Sequence, residues 1–514
     1  MKSAGVWPLA FALAAGVATV FAFAPFDFSW LPVITLASLV LLWQGASAAR
    51  GAAALGFAFG IGLFGTGASW VYIALNTFGG MPAPLAAVGT AGFCAFLALY
   101  PAAVGWLAVK WTAAGSWPRA LAAAALWPLV EWARSVIFTG FPWLSLGYAA
   151  LPGGSSNPLA GYAPVGGVFL VSLAFSLAAA ALALTIDAAS VAARARAATT
   201  AGAILVIVAG GAALGRVEWT STAGRPLAVS LVQGNVAQEL KFDPEFRPKT
   251  FGLYTELVAA SRGRLVVLPE SAFPVFADEV PDAVLLEIIS TVVPRNGDAL
   301  VGMFTMEPPV EPGGTPRFYN SVVSVGTAVP QLYRKRHLVP FGETIPLEPV
   351  FGWFIRKILA IPLASQARGD ADPPPLELAG QRVAVNICYE DAFGADLRRQ
   401  AGVATLLVNV TNDAWYGRSL AALQHNQIAA MRALETGRPL LRATNTGITS
   451  SIGHDGRELA RLPWFTRGIL EVEITGRQGS TPYVEWGDAA AGAIALALFV
   501  AALAARRHAG NPTA

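Results

Sequence analysis

Residues 383–391 read Val-Ala-Val-Asn-Ile-Cys-Tyr-Glu-Asp, a mostly apolar run that ends in a cysteine, a tyrosine and two acidic residues. A short apolar run of this kind is typical of a strand that is buried on both faces of a sheet. Cys388 lies at the exit of this strand, outside the long apolar segments of the chain. The stretch therefore predicts a layered domain with a reactive side chain at a strand end.

Similar strand-like runs lie on both sides of this stretch and are separated by polar, Pro-rich or Gly-rich turns. They cover residues 227–233, 265–269, 299–304, 321–325, 382–387 and 405–410. Helical stretches alternate with them, around residues 246–261, 283–293 and 420–436. This alternation predicts an α/β or α+β layered enzyme domain.

Two other strand-like runs also end next to a charged side chain. Residues 265–270 read Leu-Val-Val-Leu-Pro-Glu, so Glu270 follows a strand that its proline ends. Residues 332–343 carry Lys335 within a dense polar segment. Together with Cys388, these residues supply a carboxylate, a cation and a thiol.

These three groups suit nucleophilic catalysis. A thiol must lose its proton before it attacks a carbonyl, and a neighbouring carboxylate can act as the general base. A lysine can stabilise the thiolate and the oxyanion that follows. Taken singly, Cys388 could be a small buried apolar residue, Glu270 a helix cap and Lys335 a solvated loop cation. The order Glu, Lys, Cys, each at a strand end, favours the catalytic interpretation.

The composition divides the chain into two regions. Hydrophobic residues make up 55% of the chain and charged residues 13%, with a mean hydropathy of +0.53. Only four of the 32 acidic residues precede residue 220, namely Asp27, Glu131, Asp187 and Glu218. The net charge of +3 is too small to indicate nucleic-acid binding. The first region is therefore expected to lie in a membrane.

Seven apolar runs before residue 220 are long enough, or nearly so, to cross a hydrocarbon core of about 30 Å. They lie near residues 6–23, 30–46, 52–75, 83–109, 120–138, 164–186 and 198–215. An eighth run covers residues 489–505. We therefore predict a transmembrane domain of about seven helices at residues 1–219, a catalytic domain at residues 220–487, and a last transmembrane helix with its tail at residues 488–514.

Basic residues indicate the orientation, because short cytoplasmic loops collect Lys and Arg. With a cytoplasmic amino terminus, the inner segments hold Lys2, Arg50, Lys110, Arg119, Arg194, Arg196, Arg506 and Arg507. The opposite short loops, near residues 24–29, 76–82 and 139–163, hold no Lys or Arg. Both termini are therefore predicted in the cytoplasm, and residues 220–487 on the periplasmic side of a bacterial inner membrane.

No cofactor or metal is expected from the sequence. No glycine-rich phosphate loop follows a strand at the required spacing, and the four histidines are scattered without zinc-ligand spacing. The two cysteines, Cys94 and Cys388, do not form a disulfide framework.

Glu131 and Arg134 are charged residues inside the fifth predicted span. Their spacing of three places them on the same helix face. Two interpretations stay open: a structural ion pair, or a site for a polar lipid headgroup.

The segments 333–343 and 385–391, together with the order Glu270, Lys335, Cys388, resemble the nitrilase or carbon-nitrogen hydrolase superfamily. Within it, the chain is similar to the apolipoprotein N-acyltransferases, integral membrane members with spans before and after the nitrilase-like domain. The resemblance implies an αββα sandwich. It also implies acyl transfer from phosphatidylethanolamine to Cys388, and from this thioester to the α-amine of a diacylglyceryl cysteine, the last step of bacterial lipoprotein maturation.

The resemblance also implies residue roles. Glu270 corresponds to the base, Lys335 to the lysine that stabilises the oxyanion, and Cys388 to the nucleophile. Supporting positions of the active site are matched by Glu343, Tyr389 and Glu390.

Substrate contacts are expected from two aromatic regions. Phe242 stands where the family often has tryptophan, so the ring is retained without its indole N–H. Phe351 and Trp353 belong to a loop at residues 340–375 that is apolar for an aqueous domain. This loop is expected to contact lipid or act as a lid, with ordinary packing under a long loop as the alternative.

Two other functions fit part of the sequence. A membrane-tethered amidase or nitrilase would share the three catalytic residues but would need neither eight spans nor an apolar loop. A transporter with an external binding domain would require ionisable residues along several spans, whereas only Glu131 and Arg134 lie well inside one.

Overall fold

The computed structural model describes residues 5–153, 157–186, 191–309, 314–340, 342–344 and 366–509. The chain forms two compact units. The helical unit comprises Met1–Trp219, Arg418–Met431 and Thr481–Ala514, and the sheet unit comprises Thr220–Gly417 and Arg432–Ser480. A short segment from within the predicted catalytic domain thus belongs to the helical unit.

The helical unit begins with helices α1 (Val6–Val20), α2 (Leu31–Gly45), α3 (Ala49–Gly67), α4 (Ala83–Trp111), α5 (Trp117–Val136), α6 (Ala163–Ile186) and α7 (Val191–Leu214). Its last helix is Ala489–Ala509. Among the described residues, four stretches are long and apolar enough to cross a membrane: Ala49–Gly67, Ala83–Trp111, Trp117–Thr139 and Pro158–Ile186.

The remaining predicted runs coincide with shorter apolar helices of 10–17 residues, Val6–Val20, Leu31–Gly45, Ala198–Leu214 and Ala489–Ala505. The helices therefore fit a transmembrane protein, while the count of about eight spans stays a prediction.

Glycines let the helices of this unit approach each other closely. A Cβ atom on Gly16 of α1 would lie 2.0 Å from the carbonyl oxygen of Phe59 in α3. One on Gly56 of α3 would lie 2.3 Å from the carbonyl oxygen of Pro101 in α4. Small residues at helix contacts are typical of membrane bundles, where close van der Waals packing drives association.

Glu131 and Arg134 in α5 are both buried and hydrogen-bond to protein groups. Glu131 accepts bonds of 2.9 Å from Nε1 of Trp127 and from the backbone N–H of Leu146. Arg134 donates to the carbonyl oxygen of Trp143 at 2.6 Å. These contacts fix the irregular chain after α5, which favours the structural interpretation over a headgroup site.

The sheet unit contains two six-stranded sheets. In order across the sheet, the first is β12-β1-β2-β3-β4-β5 and the second is β11-β10-β9-β8-β7-β6. The strands are β1 (Thr220–Gln233), β2 (Leu265–Val267), β3 (Asp298–Glu307), β4 (Arg317–Gly326), β5 (Leu332–Arg334), β6 (Leu376–Leu378), β7 (Gln381–Ile387), β8 (Leu406–Thr411), β9 (Leu440–Thr444), β10 (Ser450–Ile452), β11 (Glu458–Arg461) and β12 (Gly468–Gly479).

The sheets are parallel at their centres and stacked on each other. Strands β1, β2 and β3 run parallel, as do β7, β8 and β9. Strand β1 packs against β9 and β4 against β7. Helices α8 (Arg247–Ala260) and α9 (Asp282–Val292) cover the first sheet, and α10 (Gly394–Val403) packs on β7. This layering agrees with the predicted α/β class.

Helix α11 (Ala421–Thr436) is divided between the two units: its residues up to Met431 belong to the helical unit, and the rest belong to the sheet unit. Within that unit, Gln424 accepts a hydrogen bond of 2.6 Å from Nε1 of Trp143. Gln427 donates to the carbonyl oxygen of Leu151 at 3.0 Å. Long-range bonds of this kind leave no periodic signal in the sequence.

Candidate active site

Glu270, Lys335 and Cys388 each follow the carboxyl end of a strand. Glu270 comes three residues after β2, while Lys335 and Cys388 directly follow β5 and β7. Strand β5 is antiparallel to β4, which is antiparallel to β3, so β5 ends at the same edge of the sheet as β2. The topology therefore brings Glu270 and Lys335 together, and all three side chains are buried.

The Lys335 ammonium lies between two carboxylates. Its Nζ atom is 2.8 Å from Oε1 of Glu343 and 3.4 Å from Oε1 of Glu270. Burial by itself lowers the pKa of Lys335, but Glu343, Glu270 and the thiolate form of Cys388 raise that pKa well above its usual value. Lys335 therefore stays protonated and carries its charge at neutral pH.

Both carboxylate oxygens of Glu270 have fixed partners. Nδ2 of Asn320 donates to Oε1 at 2.7 Å, and the backbone N–H of Asn412 donates to Oε2 at 2.9 Å. The Asn412 side chain in turn donates to Oε1 of Gln238 at 2.7 Å. These bonds hold the carboxylate in one position, as a general base requires.

The backbone of Cys388 is strained. Its φ of +54° lies in the left-handed region, and it begins a single 3₁₀ turn, Cys388–Ala392. Nδ2 of Asn409 donates to the Cys388 carbonyl oxygen at 3.1 Å and so fixes this peptide. Strained conformations of this kind persist only where the surroundings hold them, and they cluster at functional sites.

The Cys388 thiol needs a base before it can react. Burial raises the pKa of this thiol well above its usual value; the Glu270 carboxylate raises that pKa further, while the Lys335 ammonium lowers it. The thiol is therefore protonated at neutral pH. Its conversion to a nucleophile requires a proton acceptor such as Glu270.

Glu343 and Glu390 accept hydrogen bonds that hold Lys335 and the residues next to it in place. Oε2 of Glu343 accepts a bond of 2.9 Å from the backbone N–H of Val339, while its other oxygen contacts Lys335. Glu390 accepts bonds from the Tyr333 hydroxyl at 2.8 Å and from three backbone N–H groups, those of Arg336, His337 and Ile387. Glu390 thus joins the end of β7 to the residues on either side of Lys335.

Tyr389 is buried in an aromatic cluster next to the nucleophile. Its ring meets that of Phe393 edge to face, with ring centroids 5.0 Å apart. The His337 ring stacks on Phe393 at 3.5 Å. This cluster gives one side of the Cys388 turn a rigid apolar wall.

A buried ionic network supports the same turn, and sequence reasoning did not find it. Arg442 in β9 donates to Asp391 at 2.8 Å, to Asp413 at 3.2 Å and to Oδ1 of Asn409 at 2.7 Å. Because Asn409 also holds the Cys388 carbonyl, the network fixes the backbone of the nucleophile. The available signal was an arginine within a five-residue strand, Leu440–Thr444, that is otherwise mostly apolar.

Lys241 is a second residue that the sequence analysis did not single out. It ends the short helix Gln238–Lys241, is 3% exposed, and donates from Nζ to the backbone carbonyl of Glu270 at 2.9 Å. Burial lowers its pKa to about 8, against the opposite effect of Glu270 and of Cys388. A lysine next to aromatic and acidic residues usually lies in solvent, so the sequence alone gave no reason to expect burial.

The expected substrate-binding aromatics are only partly described. The Phe242 ring is 47% exposed and lies 6.4 Å from the Phe304 ring, centroid to centroid. Phe351 and Trp353 lie outside the described residues. The lipid-contact role of all three stays a prediction.

Among the described residues, no group of three or more His, Cys, Asp or Glu side chains is arranged to hold a metal ion.

Comparison with known proteins assigns both parts of the chain to families. Residues 15–181 match the family described as Apolipoprotein N-acyltransferase N-terminal domain, and residues 212–483 match the family described as Carbon-nitrogen hydrolase.

Similar full-length relatives carry one name, Apolipoprotein N-acyltransferase. That of Nitrosomonas europaea is 46% identical over 509 residues, which is 98% of this chain and 99% of the relative. That of Ralstonia nicotianae is 42% identical over 505 residues, 96% of this chain and 93% of the relative. That of Pseudomonas aeruginosa is 38% identical over 482 residues, 92% of this chain and 91% of the relative. At this identity over nearly the whole length, the chain belongs to the apolipoprotein N-acyltransferase family and contains a carbon-nitrogen hydrolase domain.

Proposed function

We propose that this chain transfers an acyl group from a phospholipid, phosphatidylethanolamine, to the α-amine of the amino-terminal diacylglyceryl cysteine of apolipoproteins. Transfer proceeds through a thioester on Cys388. One observation carries the proposal. The buried Glu270 carboxylate contacts the charged Lys335 side chain, and both residues follow strand ends, as does Cys388 with its strained backbone. The names of the full-length relatives support the acyl acceptor.

In the first half-reaction, Glu270 accepts the thiol proton of Cys388, and the thiolate attacks the ester carbonyl carbon of the phospholipid. The Lys335 ammonium stabilises the negative oxygen of the tetrahedral intermediate, a contribution of about 3–4 kcal/mol for one donor. The ester C–O bond then breaks, and the departing lysophospholipid alkoxide takes the proton from Glu270. Cys388 is left as a thioester.

In the second half-reaction, the neutral α-amine of the lipoprotein attacks the thioester carbonyl. Glu270 accepts an amine proton, Lys335 again stabilises the oxyanion, and the C–S bond breaks to give the amide. The proton returns from Glu270 to the Cys388 sulfur. The lysophospholipid leaves before the acceptor amine reacts with the acyl-enzyme, so the two half-reactions form a ping-pong mechanism with one base and one oxyanion contact in common.

The supporting residues position these groups. Glu343 holds Lys335, while Glu390 and Tyr389 hold the turn that carries Cys388. Phe242, together with Phe351 and Trp353 of the apolar loop, contacts the acyl chain or the bilayer.

The membrane helices give a reason for transfer rather than hydrolysis. Donor and acceptor are both anchored in lipid, so a catalytic domain tethered to the membrane meets them at high effective concentration. Exclusion of water from the site protects the thioester. In this proposal the chain has about eight spans, both termini in the cytoplasm, and the catalytic domain in the periplasm of a bacterial inner membrane.

Mass spectrometry of the purified protein tests the proposal. After incubation with acyl-labelled phosphatidylethanolamine, the peptide that contains Cys388 should carry one acyl group, which hydroxylamine removes and a diacylglyceryl cysteine peptide accepts. Cys388→Ala should carry none, while Cys94→Ser should behave as the wild type, because Cys94 lies in α4 and donates to the carbonyl of Phe64. Absence of the adduct on wild-type Cys388, or release of ammonia from small amides without lipid, would refute the proposal.

A further inference from the structure

Lys241 is a buried cation beside the site to which the mechanism above gives no role. The short helix Gln238–Lys241 follows β1 and brings this side chain beneath the turn that carries Glu270. Within the part of the chain that the structure describes, its ammonium has one hydrogen-bond acceptor, the backbone carbonyl oxygen of Glu270 at 2.9 Å. An ammonium has three N–H donors, so burying it with a single acceptor costs free energy unless its charge makes a favourable interaction.

The Glu270 turn accepts that bond at a point where the backbone changes direction. The next residue, Ser271, has a φ of +45°, so the chain leaves the direction of the sheet at this point. The turn also packs tightly on β3, since a Cβ atom on Gly302 would lie 2.3 Å from the carbonyl oxygen of Pro269 and 2.6 Å from the Ser271 nitrogen. Within a sheet, a backbone N–H of a neighbouring strand would donate to such a carbonyl oxygen. Here the Lys241 ammonium donates to the Glu270 carbonyl oxygen instead.

The charge of Lys241 also completes the balance of the site. Glu270 and Glu343 contribute two negative charges, and Lys335, in contact with both, contributes one positive charge. Lys241 has no carboxylate within ion-pair distance among the described residues, yet its charge interacts with the Glu270 carboxylate and the Cys388 sulfur. Glu270, Glu343, Lys335, Lys241 and the Cys388 thiol are therefore neutral in sum, both before and after the Cys388 proton moves to Glu270.

We propose that Lys241 is a positioning residue that fixes the Glu270 turn and supplies a further positive charge, beside that of Lys335, that stabilises the Cys388 thiolate. This inference rests on the proposed roles of Cys388 as nucleophile and Glu270 as base, and it assigns to Lys241 the electrostatic support of their proton exchange.

The test compares three variants of the full-length protein in detergent, all with Cys94→Ser so that one cysteine remains. Lys241→Met removes the hydrogen bond and the charge, and Lys241→Gln retains an N–H donor without charge. Lys249→Met removes the same charge from an exposed lysine of α8 that lies over the Phe246 ring. The readouts are the rate of Cys388 alkylation by iodoacetamide from pH 6 to 10 and the rate of acylation by labelled phospholipid.

At pH 7, both Lys241 variants should alkylate about tenfold more slowly, because loss of a nearby cation raises the thiol pKa by roughly one unit. Acylation should fall at least as much, whereas Lys249→Met should match the wild type. The wild-type and Lys241→Gln alkylation rates should converge above pH 8, because Lys241 has a pKa of about 8 and loses its own charge there. A purely structural lysine would not produce this convergence.

An unchanged alkylation rate in Lys241→Gln at pH 7 would overturn the proposal, even if acylation is lost. Should Lys241→Met fail to fold, Lys241→Gln decides alone. Because alkylation needs no lipid, it reports on Lys241 even if wild-type Cys388 takes no acyl group from phosphatidylethanolamine. That failure would overturn the proposed donor and not the role of Lys241.

Discussion

Removing the Lys335 ammonium provides a stringent test of the site. Lys335→Met keeps most of the side-chain volume but leaves the carboxylates of Glu270 and Glu343 buried without their shared cation, whose Nζ lies 3.4 Å and 2.8 Å from them. Charges about 4 Å apart interact with roughly 4 kcal/mol at an effective dielectric constant of about 20. Removing one partner of a buried pair costs about 3–5 kcal/mol, so we expect a clear loss of stability.

Catalysis should fall for a separate reason. Loss of one oxyanion donor costs about 10²–10³-fold in rate, and loss of the cation also raises the thiol pKa. Thioester formation on Cys388 should therefore drop by at least about 10²-fold. The assay measures the initial rate of adduct formation with labelled phospholipid by intact-protein mass spectrometry.

A double variant separates the two effects. Lys335→Met with Glu343→Gln removes the cation together with its nearer carboxylate, so the excess buried charge disappears. Its thermal midpoint in detergent should recover most of what Lys335→Met alone loses, while acylation should stay low. If Lys335→Met acylates within tenfold of the wild type, or if the double variant regains acylation, Lys335 does not stabilise the oxyanion.

Four further predictions follow from the same arrangement. Cys388→Ser should give no transfer in an assay with labelled phospholipid and acceptor peptide, because the Ser hydroxyl has a far higher pKa, and near-normal transfer would exclude this nucleophile. Glu270→Gln keeps the shape of the side chain but cannot accept a proton, so trapping should detect no acyl adduct; full adduct formation would identify another base. Wild-type alkylation of Cys388 should keep rising up to pH 10, because the raised pKa keeps most of the thiol protonated at neutral pH, and a rate that reaches its full value near pH 7 would contradict this. In intact cells, a cysteine at the exposed position of Ser221 should react with an impermeant thiol reagent and one at Ala114 should not; the reverse pattern would invert the predicted topology.

The central strands could be predicted from the sequence because they are apolar and bounded by turn residues. The predicted runs at residues 299–304 and 382–387 lie within β3 and β7, which the structure extends by a few residues. The edge strands β5, β6 and β11, and β10 beside β11, have only three or four residues each, too few to show a period of two. Strand β9 was missed because it begins shortly after α11 and carries Arg442 among its apolar residues.

The sequence predicts the candidate residues that follow strand ends. It does not predict the contacts between groups that are far apart in the chain. The sequence could single out Glu270, Lys335 and Cys388 as candidates because each follows a strand, and parallel strands end at a common edge. The groups that hold them come from distant positions: the backbone of Asn412 bonds to a carboxylate 142 residues earlier. Neither that contact nor the burial of Lys241 leaves any local pattern of hydropathy, because both depend on which loops the topology brings together.

In the proposed mechanism, the charges of the site also explain how a buried thiol becomes a nucleophile. Moving the proton from Cys388 to Glu270 transfers one negative charge from the carboxylate to the sulfur, so the number of buried charges is the same before and after. The cost of burying that charge is therefore already present in the resting protein and does not add to the barrier. The cations, the Asn320 and Asn409 side chains and the backbone N–H of Asn412 are fixed in advance, so little reorganisation accompanies the transfer. Water that entered such a site would solvate the thiolate and compete for the thioester, and this is why burial and acyl transfer belong together.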